Sequence, residues 1–332
     1  MNEAKSYFIL TNDNELEIKR FHLFTWDLEK SGIEIGIEFL TKKQTVSFKL
    51  SLPFEYTESP KCLMRNLIDN DDNSKFIFNE TIKKHEDIEQ DKRNGAILYL
   101  KNRTVAILPI SFKKDDCNDK RIISFDVVNT NKNEINYVRM FINTSIKDFS
   151  VIKKGITKET YIYDIKINTE RNIPDFVYNL TKDNFYLCKI TNAFCFHAIP
   201  ILYNIAYLNS NSLRNIRTLE AKPFNDYLNF LNLKVRANEY IIVFNKISDS
   251  DNYTFFSIFE KELISNIQIC WSIVVNIICS ILFAIASYRL SKNSELIFYK
   301  MPEYLIAIVI IIILLVYIKY DRKIKNFFNK KQ

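Results

Sequence analysis

Glycine is scarce: the 332 residues include only Gly32, Gly36, Gly95 and Gly155. Loops that cradle phosphate need glycine where the backbone must approach the anion. Neither G-x-G-x-x-G nor G-x-x-x-x-G-K-S/T can be written from four scattered glycines, which excludes Rossmann and P-loop nucleotide sites. Paired cysteines are also missing. Cys62, Cys117, Cys188, Cys195, Cys270 and Cys279 form no C-x-x-C, so free thiols in a reducing compartment are expected rather than a disulfide framework. The opening residues hold an apolar run of only four, residues 7–10, too short for the core of a secretory leader. No G-x-S-x-G elbow is present. Bulk positive charge is absent from most of the chain as well. Of the net +7, residues 319–332 carry six basic groups against Asp321, and residues 289–303 carry three against two acids. Residues 1–268 are therefore almost neutral, which argues against general nucleic-acid binding there.

Two long uncharged runs are present near the carboxyl end. Residues 269–288 read ICWSIVVNIICSILFAIASY, and residues 304–318 read YLIAIVIIIILLVYI. At 1.5 Å per residue the first spans roughly 30 Å as a helix, the thickness of the hydrocarbon core. The second is shorter, but Met301 and Pro302 can open its helix, proline being tolerated in a first turn. A transmembrane hairpin over 268–318 is the expectation, with tyrosines at both interfaces. The tail 319–332, with Lys319, Arg322, Lys323 and Lys325, holds more basic residues than the loop between the spans. The positive-inside bias therefore puts it in the cytoplasm, against anionic headgroups. Two spans return the chain to the same side. The expected location is an inner membrane, multi-pass, with both termini cytoplasmic.

The polar residues of the first span share one face. At 100° per residue Ser272, Asn276, Ser280 and Ser287 fall within an arc of about 80°. Such a stripe either packs the two helices of a hairpin or faces other subunits and a pore in a homo-oligomer.

The region before the spans alternates with period two. Residues 32–39 and 46–52 do so cleanly about a short connection, and 96–100 and 104–110 form a second hairpin. Further strands are expected at 7–10, 15–26, 75–79, 122–128, 137–143, 161–168, 185–190, 193–199 and 240–247. Aromatic residues are 14% of the chain, which suits strand packing. A mainly β, sandwich-like cytoplasmic region follows, with a few helices. A short helix is expected over 59–68, and two or three helices over 199–233, with Phe224, Tyr227, Leu228 and Leu231 on one face. Acidic stretches at 69–73 and 86–92 read as exposed loops. The candidate division is a β-rich domain over 1–145 and a mixed domain over 146–267.

Candidate sites are few. Cys188, Cys195 and His197 supply only one arm of a zinc site, so buried apolar cysteines on a strand are the better reading. Asp175 followed by Glu220-x-Lys222 has the residue types of a metal-dependent nuclease. There the Glu-x-Lys belongs on a strand, and here Pro223 follows at once. His22 and His85 have no evident partner. No catalytic residue, cofactor or metal ligand is assigned. Arg214 and Arg217, three apart, can share a helical face toward phosphates, with Lys222 nearby. A solvated helix face beside the membrane explains the same residues.

The order of parts, a β-rich cytoplasmic region followed by spans at 269–288 and 304–318, resembles the two-transmembrane effectors of prokaryotic antiviral systems that answer nucleotide messengers. These include the cyclic-oligonucleotide (CBASS-like), CRISPR-associated and Hailong-type effectors. The resemblance includes no motif, so it transfers no functional residue. It implies a homo-oligomer that binds a nucleotide or oligonucleotide and gates a membrane pore. The rival expectation is a membrane-anchored β-domain scaffold that does not conduct.

Overall fold

The computed structural model describes residues 5–113, 119–129, 135–208, 213–218, 220–236, 238–250, 253–264, 266–292, 305–306 and 308–313. Among these, the strands form two mixed sheets of nine and eleven members. The first sheet runs, in spatial order, Tyr203–Leu208, Tyr253–Glu262, Lys158–Ile167, Lys5–Thr11, Thr45–Ser51, Ile122–Val128 and Ser111–Phe112. The second runs Leu213–Thr218, Tyr240–Ser248, Asn192–Pro200, Glu17–Trp26, Gly32–Leu40, Ile135–Asn143, Thr104–Ile107, Ala96–Leu100 and Ile82–Asp87. Short strands at Val151–Lys154, Tyr186–Leu187, Lys189–Ile190 and Lys61–Cys62 pair off these main paths.

Alternation decides where the core sits. Ile9, Phe48 and Phe125 of the first sheet meet Leu23, Ile33, Ile35 and Ile37 of the second in the largest apolar cluster, between the sheets. The outer face of the second sheet is covered by the helices Met64–Ile68, Asp71–Phe78 and Ala221–Tyr227. Their Leu67, Phe78, Phe224 and Tyr227 pack on Trp26, Tyr137 and Phe141. On the outer face of the first sheet, Val177 and Leu180 of the helix Asp175–Lys182 pack on Phe8, Leu10 and Ile122. The described region is thus mainly β, as its patterning predicts; that helices cover both outer faces of the sandwich is new from the structure. Two of the rare glycines allow the covered face to close: a Cβ on Gly36 would collide with the Tyr137 hydroxyl, and one on Gly32 with the Phe141 ring.

Several expectations fail locally. Residues 75–79 alternate Phe76 and Phe78, yet belong to the helix Asp71–Phe78, which Asn70 caps by accepting from the Asp72 amide. Of the acidic loop expected at 69–73, residues 71–73 are the first turn of that helix, where acids suit the dipole. In the stretch 86–92, Glu86 and Asp87 end the strand Ile82–Asp87. Within 59–68 the helix is only Met64–Ile68. Within 199–233, Tyr203–Leu208 and Leu213–Thr218 are strands. One α-helix, Ala221–Tyr227, and a 3-10 turn, Leu228–Leu231, bury the expected Phe224, Tyr227, Leu228 and Leu231.

The division at 145/146 does not separate the strands. Lys5–Thr11 pairs in parallel with Lys158–Ile167, and Glu17–Trp26 with Asn192–Pro200. Each sheet therefore interleaves both halves, and residues 1–155 and 159–261 form one compact unit.

The second unit comprises 156–158 and the chain from 262. Its helix Asn266–Lys292 contains a 19-residue segment, Trp271–Arg289, long and apolar enough to cross a membrane and almost entirely exposed. Buried or half-buried positions are Gln268, Ser272, Val275, Cys279, Leu282 and Ala286. Their alternating spacing of four and three draws a single seam. In the second apolar run, residues 305–306 and 308–313 are helical. The loop between the runs, and Lys319, Arg322, Lys323 and Lys325 of the expected anchor, lie outside the described residues.

Candidate functional site

The helix-covered face of the second sheet opens at one end into a cavity of about 340 Å³. Strand register builds it row by row. Lys246 lies opposite Phe194, Phe194 opposite His22, and His22 opposite Gly36. The next row sets Asn215 opposite Phe244, Phe244 opposite Phe196, and Phe196 opposite Phe24. Arg217 stands opposite Ile242 at the sheet edge. The other wall is the end of the helix Asp71–Phe78, with Phe76, Phe78 and the left-handed cap residue Asn79.

Phenylalanine and positive charge are interleaved here. The Phe194 ring has the Arg20 guanidinium 5.9 Å from its centroid and the Lys246 ammonium 5.5 Å away. Phe24 and Phe196 stack at 4.4 Å behind it. Asn79, Asn192 and Asn215 add amide donors and acceptors, and no carboxylate is among the lining side chains. Arg20 is already balanced: Glu38 lies at 3.5 Å and Glu80 at 3.8 Å, and both acids are shared with Arg103. Arg217 and Lys246 have no carboxylate partner among the described residues. The cavity therefore offers an aromatic ring face, two uncompensated cations and three amides. That set suits an anion carrying a planar ring.

Beneath the cavity, and reaching it through His22, lies a buried polar network. His22 Nδ1 is 3.1 Å from the Tyr137 hydroxyl, which accepts from Arg139 Nη1 at 2.9 Å. Arg139 pairs with Glu34 through Nε at 2.6 Å and Nη2 at 2.5 Å. Tyr227 donates to Glu34 Oε2 at 2.5 Å, and Trp26 Nε1 to Oε1 at 2.9 Å. Burial alone would lower the Arg139 guanidinium, but Tyr137, Tyr227 and Glu34 around it outweigh that and hold it protonated. Burial, then the charges of Arg139, Arg20 and Arg103, push His22 well below its usual value, so its imidazole is neutral.

The expected site residues meet different fates. Arg217 lines the cavity. Arg214 falls in the same strand, opposite Asn245. The helical face meant to join the two does not form, because positions three apart alternate across a strand. Lys222 is exposed on the helix Ala221–Tyr227 and is not among the lining residues. Arg20, Phe194 and Lys246 were not anticipated. Asp175 and Glu220 are not brought together: one opens a helix on the outer face of the first sheet, and the other precedes a helix on the outer face of the second. Cys195 and His197 do share a strand face, Sγ to Nε2 3.5 Å, both buried. No group of three or more His, Cys, Asp or Glu among the described residues could hold a metal ion. His85 does have a partner, Asp71 at 3.0 Å.

On the apolar helix the expected stripe divides. Ser272 lies on the covered seam, while Asn276, Ser280 and Ser287 are exposed beside it. Ser272 and Ser280 satisfy their hydroxyls on the carbonyls of Gln268 and Asn276, each at 2.9 Å. The Asn276 carboxamide has no partner among the described residues. No family model and no curated protein matches this sequence.

Proposed function

We propose that this protein is a two-span membrane effector of the inner membrane, with both termini cytoplasmic. Its β-rich unit senses an aromatic anion, a nucleotide or oligonucleotide, and the spans gate an oligomeric pore in antiviral defence. The observation that carries the sensing half is the Phe194 ring set between Arg20 and Lys246, with Arg217 at the rim. The membrane half is supported by the exposed apolar segment Trp271–Arg289. Asn276 supports association: an unpaired carboxamide facing hydrocarbon is costly, and a neighbouring subunit's helix relieves it. Gating then requires the ligand to bind the open and closed states unequally.

The sensing half is tested by calorimetric titration of the purified full chain with mono- and oligonucleotides. Lys246→Ala and Arg217→Ala should each weaken binding about tenfold, the worth of one charge-assisted contact. Phe194→Leu should weaken it by a similar factor through lost stacking. Equal affinity in all three variants, or no binding by the wild type, would sink the assignment of this cavity.

The pore is tested by ion flux from proteoliposomes. Asn276→Leu should abolish most ligand-dependent flux and reduce chemical crosslinking between subunits. A wild type that binds nucleotide yet never conducts would establish the scaffold reading in its place.

A further inference from the structure

The chain leaves the β-rich unit at the end of the strand Tyr253–Glu262 and enters the apolar helix at Asn266. The connection between the strands Val151–Lys154 and Lys158–Ile167 is tied to this exit, because the Leu263 amide donates to the Thr157 carbonyl at 2.8 Å. Ile156, at the tip of that hairpin, is 91% exposed. It is flanked by exposed Lys153, Lys154 and Lys158, with Gly155 before it. Thr157 holds the tip to Leu263, three residues before the helix begins, so chain geometry keeps Ile156 within roughly 15–20 Å of the helix start.

A second apolar tip adjoins the strand that leads to this exit. Leu202 is 78% exposed and Ile201 41%, in the turn before Tyr203, which pairs with Lys261. Only four residues separate Lys261 from Asn266. Acids near the first tip are Glu159, opposite Lys154 in register, the half-buried Glu260 beside Lys261, and the exposed Glu262. Lysines 153, 154, 158 and 261 outnumber them.

From these residues we infer that the 153–158 hairpin tip is a lipid contact: Ile156 enters the headgroup boundary of an anionic bilayer while its flanking lysines meet the phosphates. A lone isoleucine at a glycine-bearing turn gains nothing from water, and a tip so close to a span is delivered to the interface by the chain itself. Apolar tips ringed by lysine are the composition that interfaces bind. The inference rests on reading Trp271–Arg289 as a span.

The test places an environment-sensitive fluorophore on the full chain, reconstituted in nanodiscs that contain nitroxide-labelled lipid. Ile156→Cys carries the probe in one preparation and Ile277→Cys, within the apolar helix, in another. The unsubstituted chain, labelled identically, sets the background of its own thiols. Quenching at both positions, with the 156 signal reduced by Lys153→Glu plus Lys154→Glu and in purely zwitterionic lipid, is the expected result. Quenching at 277 without quenching at 156 would overturn the lipid contact and leave the span reading standing. Absence of quenching at both would overturn the two together. Equal quenching at 156 in anionic and zwitterionic discs would remove the role given to the lysines.

Discussion

Arg139→Met is expected to cost about 3–5 kcal/mol of stability, the penalty for stranding one member of a buried ion pair. Arg139 and Glu34 both have side chains at 0% exposure. The guanidinium donates from Nε to one Glu34 oxygen and from Nη1 to Tyr137, holds Nη2 at ion-pair distance from that same oxygen, and lies 4.2 Å from the centroid of the Phe24 ring. Methionine restores part of the volume but none of the donors. Glu34 would then retain only Tyr227 and Trp26, which cannot neutralise a charge away from water. For a body of this size the melting temperature should fall by about 6–20 °C. The double variant Glu34→Leu with Arg139→Met should recover most of the loss, because no buried charge remains to be stranded. The measurement is chemical or thermal denaturation of the three proteins. A single variant within 1 kcal/mol of the wild type would show that water reaches the pair.

This network also marks where sequence reasoning stops. In the strand Gly32–Leu40, period two correctly sends Ile33, Ile35 and Ile37 into the core between the sheets. The same pattern assigns Glu34 and Glu38 to solvent, yet they are 0% and 1% exposed. Alternation separates two faces but cannot say that helices cover the second one. The helix Asp71–Phe78 escapes the pattern for a related reason. Its buried Ile77 and Phe78 follow a half-buried Phe76, and in so short an apolar run the two periods look alike. The strand Leu213–Thr218 lies at the sheet edge, where residues 215–218 are all exposed. It has no apolar alternation to reveal it. By contrast Tyr253–Glu262 alternates buried and half-buried residues through Glu260 and was legible in principle. Aromatic residues at consecutive positions hid the period.

The cavity was legible only through Arg217. Its other cations, Arg20 and Lys246, come from strands more than 200 residues apart in sequence, joined side by side through Asn192–Pro200. Spacing along a chain carries no trace of that adjacency. The parallel pairing that creates it also merges the two expected domains.

Acidification from pH 7 to 5 should lower stability through two histidines, by about 2 kcal/mol through His197 alone. His197 is fully buried; its Nδ1 is 2.7 Å from the Thr25 hydroxyl, and its ring centroid is 4.6 Å from that of Tyr163. Burial pushes it down to about 3. His22, 3% exposed, is pushed down by burial and by three arginines. In the unfolded chain both take up a proton near pH 6.5, while the folded protein does not. The unfolded state therefore binds more protons below that point, and stability falls as pH falls. For His197 at pH 5, about 1.5 pH units below the unfolded midpoint, this is worth roughly 2 kcal/mol, and His22 adds to the loss in the same direction. Urea midpoints at pH 7 and pH 5 measure it, and His197→Asn and His22→Gln should each remove part of the pH dependence. Equal stability at both values in the wild type would refute it. The two histidines separate once more under the ligand reading proposed above. On that proposal a phosphate bound beside His22 favours its protonated form, whereas His197, in contact with the Tyr163 and Phe259 rings, is out of reach. Ligand-saturated protein should thus lose less stability on acidification than free protein, and His22→Gln should erase that difference.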